Sequence, residues 1–116
     1  MAGISLQTRN LLILLLLGLL AGCAKPLPEN RLQYAGGWQG EGVTLNIDVG
    51  GTVDYQRKQG NSSRSINAPI KSFQGDNFVV GVLFMETTFV VSQPPKNING
   101  SWTMTVDGVD LVKVEP

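Results

Sequence analysis

A chain of 116 residues with no histidine, a single cysteine, and nine basic side chains against nine acidic ones has few means of doing chemistry. The missing imidazole excludes histidine-based triads, the commonest general base and the usual zinc sites. So even a charge balance leaves no footprint for nucleic acid.

Chain order begins with a leader. Residues 1–10 carry one basic side chain, Arg9, and no acid, and residues 11–20 are apolar apart from Gly18. The apolar run from Leu11 to Ala24 is shorter than the about 20 residues that a spanning helix needs, and it ends on small residues rather than on charge. This is the layout of a secretory signal peptide that is cut off. The stretch Leu20-Ala21-Gly22-Cys23 resembles the lipobox of bacterial lipoproteins. That resemblance implies cleavage after Gly22 and lipidation of Cys23. Because Ala24 is not the aspartate that retains such proteins in the inner membrane, it also implies sorting to the outer membrane of a Gram-negative cell; the periplasmic side is the expected one, although Ala24 leaves periplasm or cell surface open. Two acyl chains supply the two signals that stable anchoring requires. With Cys23 acylated, no thiol remains for a disulfide, although the compartment is oxidising. Only Arg9 among the charged residues leaves with the leader, so the remainder carries one excess acid.

Residues 23–31 are expected to form the lipidated cysteine and a flexible tether, because Pro26 and Pro28 among Lys25, Glu29 and Arg31 favour extended, solvated backbone. Residues 32–116 then make a single β domain, near the lower size limit for one core. Beyond the tether the apolar period is 2, and no window repeats at helical spacing. Val43, Leu45 and Ile47 alternate with Thr44, Asn46 and Asp48, the pattern of a half-buried strand. A two-residue Gly50-Gly51 turn would set Ile47 opposite Asp54. A three-residue turn, Val49-Gly50-Gly51, instead sets Ile47 opposite Val53 and Leu45 opposite Tyr55, and the apolar match selects it.

Three more strands are expected over Ile66–Phe73, Phe78–Leu83 and Thr87–Ser92. Gly81 marks a bulge or sharp bend, and Pro69 marks an edge or irregular strand. Pro94-Pro95 breaks the ladder ahead of a polar loop over residues 96–100. The last hairpin runs from Trp102 to Val106, turns at the type I′ pair Asp107-Gly108 and returns from Val109 to Lys113. Pairing Val106 with Val109, Met104 with Leu111 and Trp102 with Lys113 places all six on one face. About seven strands in all predict an all-β fold, a small antiparallel barrel or sandwich.

Gly36-Gly37-Trp38, just ahead of the first expected strand, resembles the Gly-x-Trp opening of lipocalins and their calycin relatives. The resemblance implies that Trp38 closes one barrel end and that a basic residue of the last strand packs across it, with Lys113 in place of the family's usual arginine. It also implies a binder of a small apolar ligand, although the chain is shorter than a lipocalin and a roomy cavity is not expected.

The candidate contact residues are Trp38, Trp102 and Lys113, and a basic hairpin tip of Arg57, Lys58 and Arg64 suited to lipid head groups or an acidic partner. An interior pocket would be lined by Trp38, Tyr55, Phe89 and Trp102, but so short a chain needs these rings to fill its core. Val82, Leu83, Phe84 and Met85 cannot all point inward on one strand. A strand buried on both faces is expected there, with exposure of Phe84 or Met85 as the alternative suited to a partner or membrane. Glu41, Asp48, Asp54, Asp107 and Asp110 read as turn or solvent positions rather than as a catalytic pair, and Asn61 and Asn99 as turn residues. No enzyme, metal or cofactor is expected. The expected role is a non-enzymatic interaction or structural one in the cell envelope. Its partners would be the membrane, through the lipid anchor, and an envelope protein or polymer.

Overall fold

The computed structural model describes residues 24–114, so the signal peptide and Cys23 lie outside the described residues. A 3₁₀ turn, Glu29–Tyr34, leads into nine strands: β1 (Gly36–Gly40), β2 (Val43–Ile47), β3 (Thr52–Gln59), β4 (Ser62–Gln74), β5 (Asn77–Val82), β6 (Met85–Phe89), β7 (Val91–Ile98), β8 (Ser101–Val106) and β9 (Val109–Val114). They form one antiparallel sheet in the order β6-β5-β4-β3-β2-β1-β9-β8-β7, curled as a half-barrel around a single core.

The two ends of that order, β6 and β7, are separated in the chain by Val90 alone. Every step between them is antiparallel across nine strands, so they run in the same direction. They are one stretch of chain that pairs first with β5 and, past Val90, with β8. Side chains hold the crossing. Asn77 Oδ1 accepts from the Val91 N–H at 2.8 Å and Asp107 Oδ1 accepts from the Val90 N–H at 2.8 Å. The ends of the sheet are thus joined through backbone rather than by a ladder.

Alternation sets the registers. Leu45 lies opposite Tyr55 and Ile47 opposite Val53, as the three-residue turn requires. Met104 lies opposite Leu111 and Val106 opposite Val109. Asp107 (φ 48) and Gly108 (φ 79) both have the positive φ that a type I′ turn demands.

Nine strands are present where about seven were expected. One addition is β1, whose sequence Gly-Gly-Trp-Gln-Gly shows no alternation yet sits mid-sheet between β2 and β9. The other is β7, which runs through Pro94-Pro95. Its pairing jumps from Gln93–Thr105 to Lys96–Thr103 and so skips the prolines. As the last strand in the order, β7 also has one side on which missing donors break no ladder.

Pro69 lies within β4, a central strand, but beyond the last β4–β5 pair at Ile70–Val80. The Ile70 N–H donates towards β3, to Gly51 O at 2.8 Å. Since neighbouring residues point their N–H groups to opposite sides, the donor that Pro69 lacks would face the unpaired side. The bulge expected at Gly81 falls instead at Lys71, between Ile70 and Ser72, while β5 and β6 pair without a break.

Residues 25–31, expected as a flexible tether, lie against the domain. Leu27 is buried, and its N–H donates to Val49 O at 3.0 Å. The Arg31 guanidinium lies 4.8 Å over the Phe73 ring and donates to Gly75 O at 2.7 Å, with the Asp76 carboxylate 3.7 Å away. A leucine and a stacking cation within the proline-rich stretch gain more from these contacts than from solvation.

Candidate functional site

Three places on the molecule gather the candidate residues: a closed end, an opposite mouth and one hairpin tip. At the closed end Trp38 is fully buried, and its indole Nε1–H donates to Tyr34 O at 2.9 Å, tying β1 to the 3₁₀ turn. Lys113 of β9 reaches over both indoles, with Nζ 4.9 Å from the Trp38 ring and 5.2 Å from the Trp102 ring, and donates to Gln33 O at 3.1 Å. A Cβ on Gly36 would stand 3.2 Å from the Lys113 methylenes, so the lysine stem packs where a side chain would otherwise lie. The Tyr34 hydroxyl donates to Asp76 O at 2.8 Å. Burial, opposed by the Arg31 charge, holds the phenol above its ordinary pKa of 10.0.

Trp38, Trp102 and Lys113 therefore come together. They form a plug across the barrel end, in which the indoles face the ammonium and the core rather than an empty space. Above the plug the interior is filled by rings: Tyr55 meets Phe89 edge-on at 4.8 Å, and Phe89 stacks on Phe78 at 5.0 Å. The space that Trp38, Tyr55, Phe89 and Trp102 would have lined as a pocket is occupied by the aromatic side chains themselves, as so short a chain requires, Trp102 being the partly buried member.

At the mouth the basic residues stand apart from the hairpin tip. The β3–β4 turn is Gly60-Asn61, between the paired Gln59 and Ser62, and Arg57 and Arg64 face each other farther down the ladder. Arg57 shares the inward side of β3 with Val53 and Tyr55, two and four residues away. A groove of about 700 Å³ joins Arg57 and Lys58 to Glu41 and Asp110. Two acids thus stand beside two of the three bases, with Arg64 outside the groove.

The third place is the β5–β6 tip, where Val82 pairs with Met85 and Leu83-Phe84 makes the two-residue turn. The two-sided burial expected here is absent: Val82 is 53% exposed, Leu83 83%, Phe84 91% and Met85 70%. The strand ends at Val82 and the chain reverses away from the sheet, so nothing stands over either side of the turn. Lys71 fixes its base by donating to Leu83 O at 2.7 Å and pairing with Glu86 at 3.2 Å. The signal in the sequence was four apolar residues at a position where turn chemistry calls for Asn, Asp or Gly.

Comparison with known proteins adds no relative. The chain matches no family model, no curated protein and no solved structure.

Among the described residues no three His, Cys, Asp or Glu side chains gather to hold a metal ion, and no helix is long and apolar enough to cross a membrane. The closest hydroxyl–carboxylate pair, Thr105 Oγ1 to Asp110 Oδ1 at 2.8 Å, is an exposed contact across β8 and β9.

Proposed function

We propose that this chain is a lipoprotein, lipidated on Cys23 after removal of residues 1–22 and anchored in the outer membrane of a Gram-negative bacterium on the periplasmic side. Its β domain has a non-enzymatic interaction or structural role in the cell envelope. The observation that supports this reading is the distribution of apolar groups. Side chains fill the inside, with Trp38, Phe78 and Phe89 at 0% exposure, while Leu83 and Phe84 stand outside at 83% and 91%. Binding then falls to the outer surface. The anchor is tested by substitution: Cys23→Ala should abolish incorporation of a labelled fatty acid and leave the precursor with its leader uncut. Label retained by the variant would overturn the assignment.

A second reading, a calycin-like binder of a small apolar ligand, draws support from Lys113 lying over Trp38 beside the 3₁₀ turn. Such a ligand needs about 300 Å³ or more of concave space, and the stacked rings occupy the place where it would sit. Titration of the purified protein with fatty acids, followed by tryptophan fluorescence and calorimetry, should therefore show no saturable uptake. Stoichiometric binding that quenches Trp38 or Trp102 would replace the first reading by the second.

A further inference from the structure

Every other two-residue hairpin turn among the described residues carries a glycine at positive φ: Glu41-Gly42, Gly60-Asn61, Gly75-Asp76, Asn99-Gly100 and Asp107-Gly108. The β5–β6 turn is the exception, with Leu83 at φ 56 followed by Phe84. A leucine gains nothing for folding there. It holds a backbone conformation that Gly, Asn or Asp would adopt with less strain, and its side chain is 83% exposed. Strain kept at an exposed position points to what the side chains meet outside the domain.

Position identifies what they meet. The described chain enters beside this tip: Lys25 lines the same groove as Lys71, Gly81, Val82 and Leu83. Cys23 precedes Lys25 by two residues, a span of at most about 7 Å of extended backbone. Acyl chains on Cys23 would therefore leave the protein next to Leu83 and Phe84. Charge agrees with that placement. Lys25 and Lys71 both line the groove, and Glu86, paired with Lys71 at 3.2 Å, offsets one of the two, so the set keeps one excess positive charge.

We propose that the Leu83-Phe84 tip, with Val82 and Met85 beside it, inserts into the bilayer that carries the anchor, as a second, non-covalent membrane contact. The apolar turn lies among the acyl chains, and Lys25 and Lys71 sit at the depth of the head-group phosphates, the arrangement that interfacial apolar segments with flanking lysines adopt. Two contacts side by side hold the domain in one orientation, whereas an acyl anchor alone would let it tumble. This inference rests on the lipoprotein reading for the nearness of the bilayer.

The test uses the full chain, processed in cells, purified and reconstituted into vesicles of phosphatidylethanolamine with a minority of phosphatidylglycerol. Cys23 is the only native cysteine, and acylation blocks its thiol. An environment-sensitive fluorophore is placed on Phe84→Cys or, as a control on another turn, on Asn61→Cys. The label at 84 should be blue-shifted, quenched severalfold more by lipids brominated along their acyl chains than the label at 61, and shielded from iodide. Adding Leu83→Ser and Met85→Ser to the Phe84→Cys chain should remove that contrast while leaving the acyl mass unchanged.

Equal iodide access at 84 and 61 would overturn the proposal. So would photo-crosslinks from position 84 in cells that capture a protein and no lipid. The intact mass of the purified chain reports acylation separately. A chain without acyl mass whose label at 84 still inserts defeats the lipoprotein reading and keeps the tip; an acylated chain whose label stays in water does the reverse.

Discussion

Trp38→Ala should destabilise the domain by about 3–5 kcal/mol, the range for truncating a large aromatic in a core, and lower the urea midpoint of the purified protein by roughly 2 M. Three losses combine at this site. The indole is fully buried, so its removal leaves a cavity under β1. Its Nε1–H bond to Tyr34 O at 2.9 Å ties the 3₁₀ turn to the sheet, and without it that carbonyl is left unpaired beside the core. The Lys113 ammonium, 4.9 Å from the ring, loses one of the two faces that hold it over the barrel end. Trp38→Phe separates these effects. It keeps much of the volume and an aromatic face while removing the donor, so it should cost about 1–3 kcal/mol. A midpoint for Trp38→Ala within error of the unsubstituted protein would mean that the closed end is drawn wrongly.

Much of the fold was legible because the signals are local. Val43, Leu45 and Ile47 carry a period of 2, and Asp107-Gly108 dictates a turn type, so two hairpins and their registers follow from residues close together in the chain. The missed elements depend on distant partners. Nothing inside Gly36-Gly37-Trp38-Gln39-Gly40 reads as a strand. Its glycines make sense only once β9 is laid against it: a Cβ on Gly40 would stand 2.7 Å from Leu111 Cδ2. β7 was hidden by its prolines, which an end strand tolerates and a central one does not.

The same distinction divides the candidate site. Trp38 and Lys113 were marked together, and they meet across most of the chain's length. Residues 25–31 were read as solvated because proline content outweighed one leucine and one arginine, whereas their partners Val49 and Phe73 lie far along the sequence. Arg57, Lys58 and Arg64 read in sequence as a basic tip, yet Glu41 and Asp110 come from other hairpins to share the groove of Arg57 and Lys58. Exposure of the Leu83-Phe84 turn was the lesser expectation, since an apolar run is more often core than surface.

Gly81→Ala should be strongly damaging for the addition of one methyl group, costing about 2–3 kcal/mol, and its reason is steric rather than conformational. A Cβ at position 81 would collide with Met85 O and stand 3.0 Å from Glu86 Cα, both atoms of the strand that pairs with it. Real Cβ contacts do not come that close, and the obstacle is backbone, so no side-chain rotation relieves it. The hairpin must open or shift, and the tip it carries moves with it. Gly108→Ala is the matched control. Gly108 has φ +79 with nothing within 4 Å of its Cβ position, so alanine there meets only conformational strain, worth about 1 kcal/mol. Denaturant melts of the two variants should rank Gly81→Ala well below Gly108→Ala. Hydrogen exchange should place the added opening of Gly81→Ala in β5 and β6, leaving β8 and β9 protected. Equal effects, or exchange spread evenly over the sheet, would mean that the close approach of β6 to Gly81 is not a feature of the folded protein, and the geometry claimed for the Leu83-Phe84 tip would fall with it.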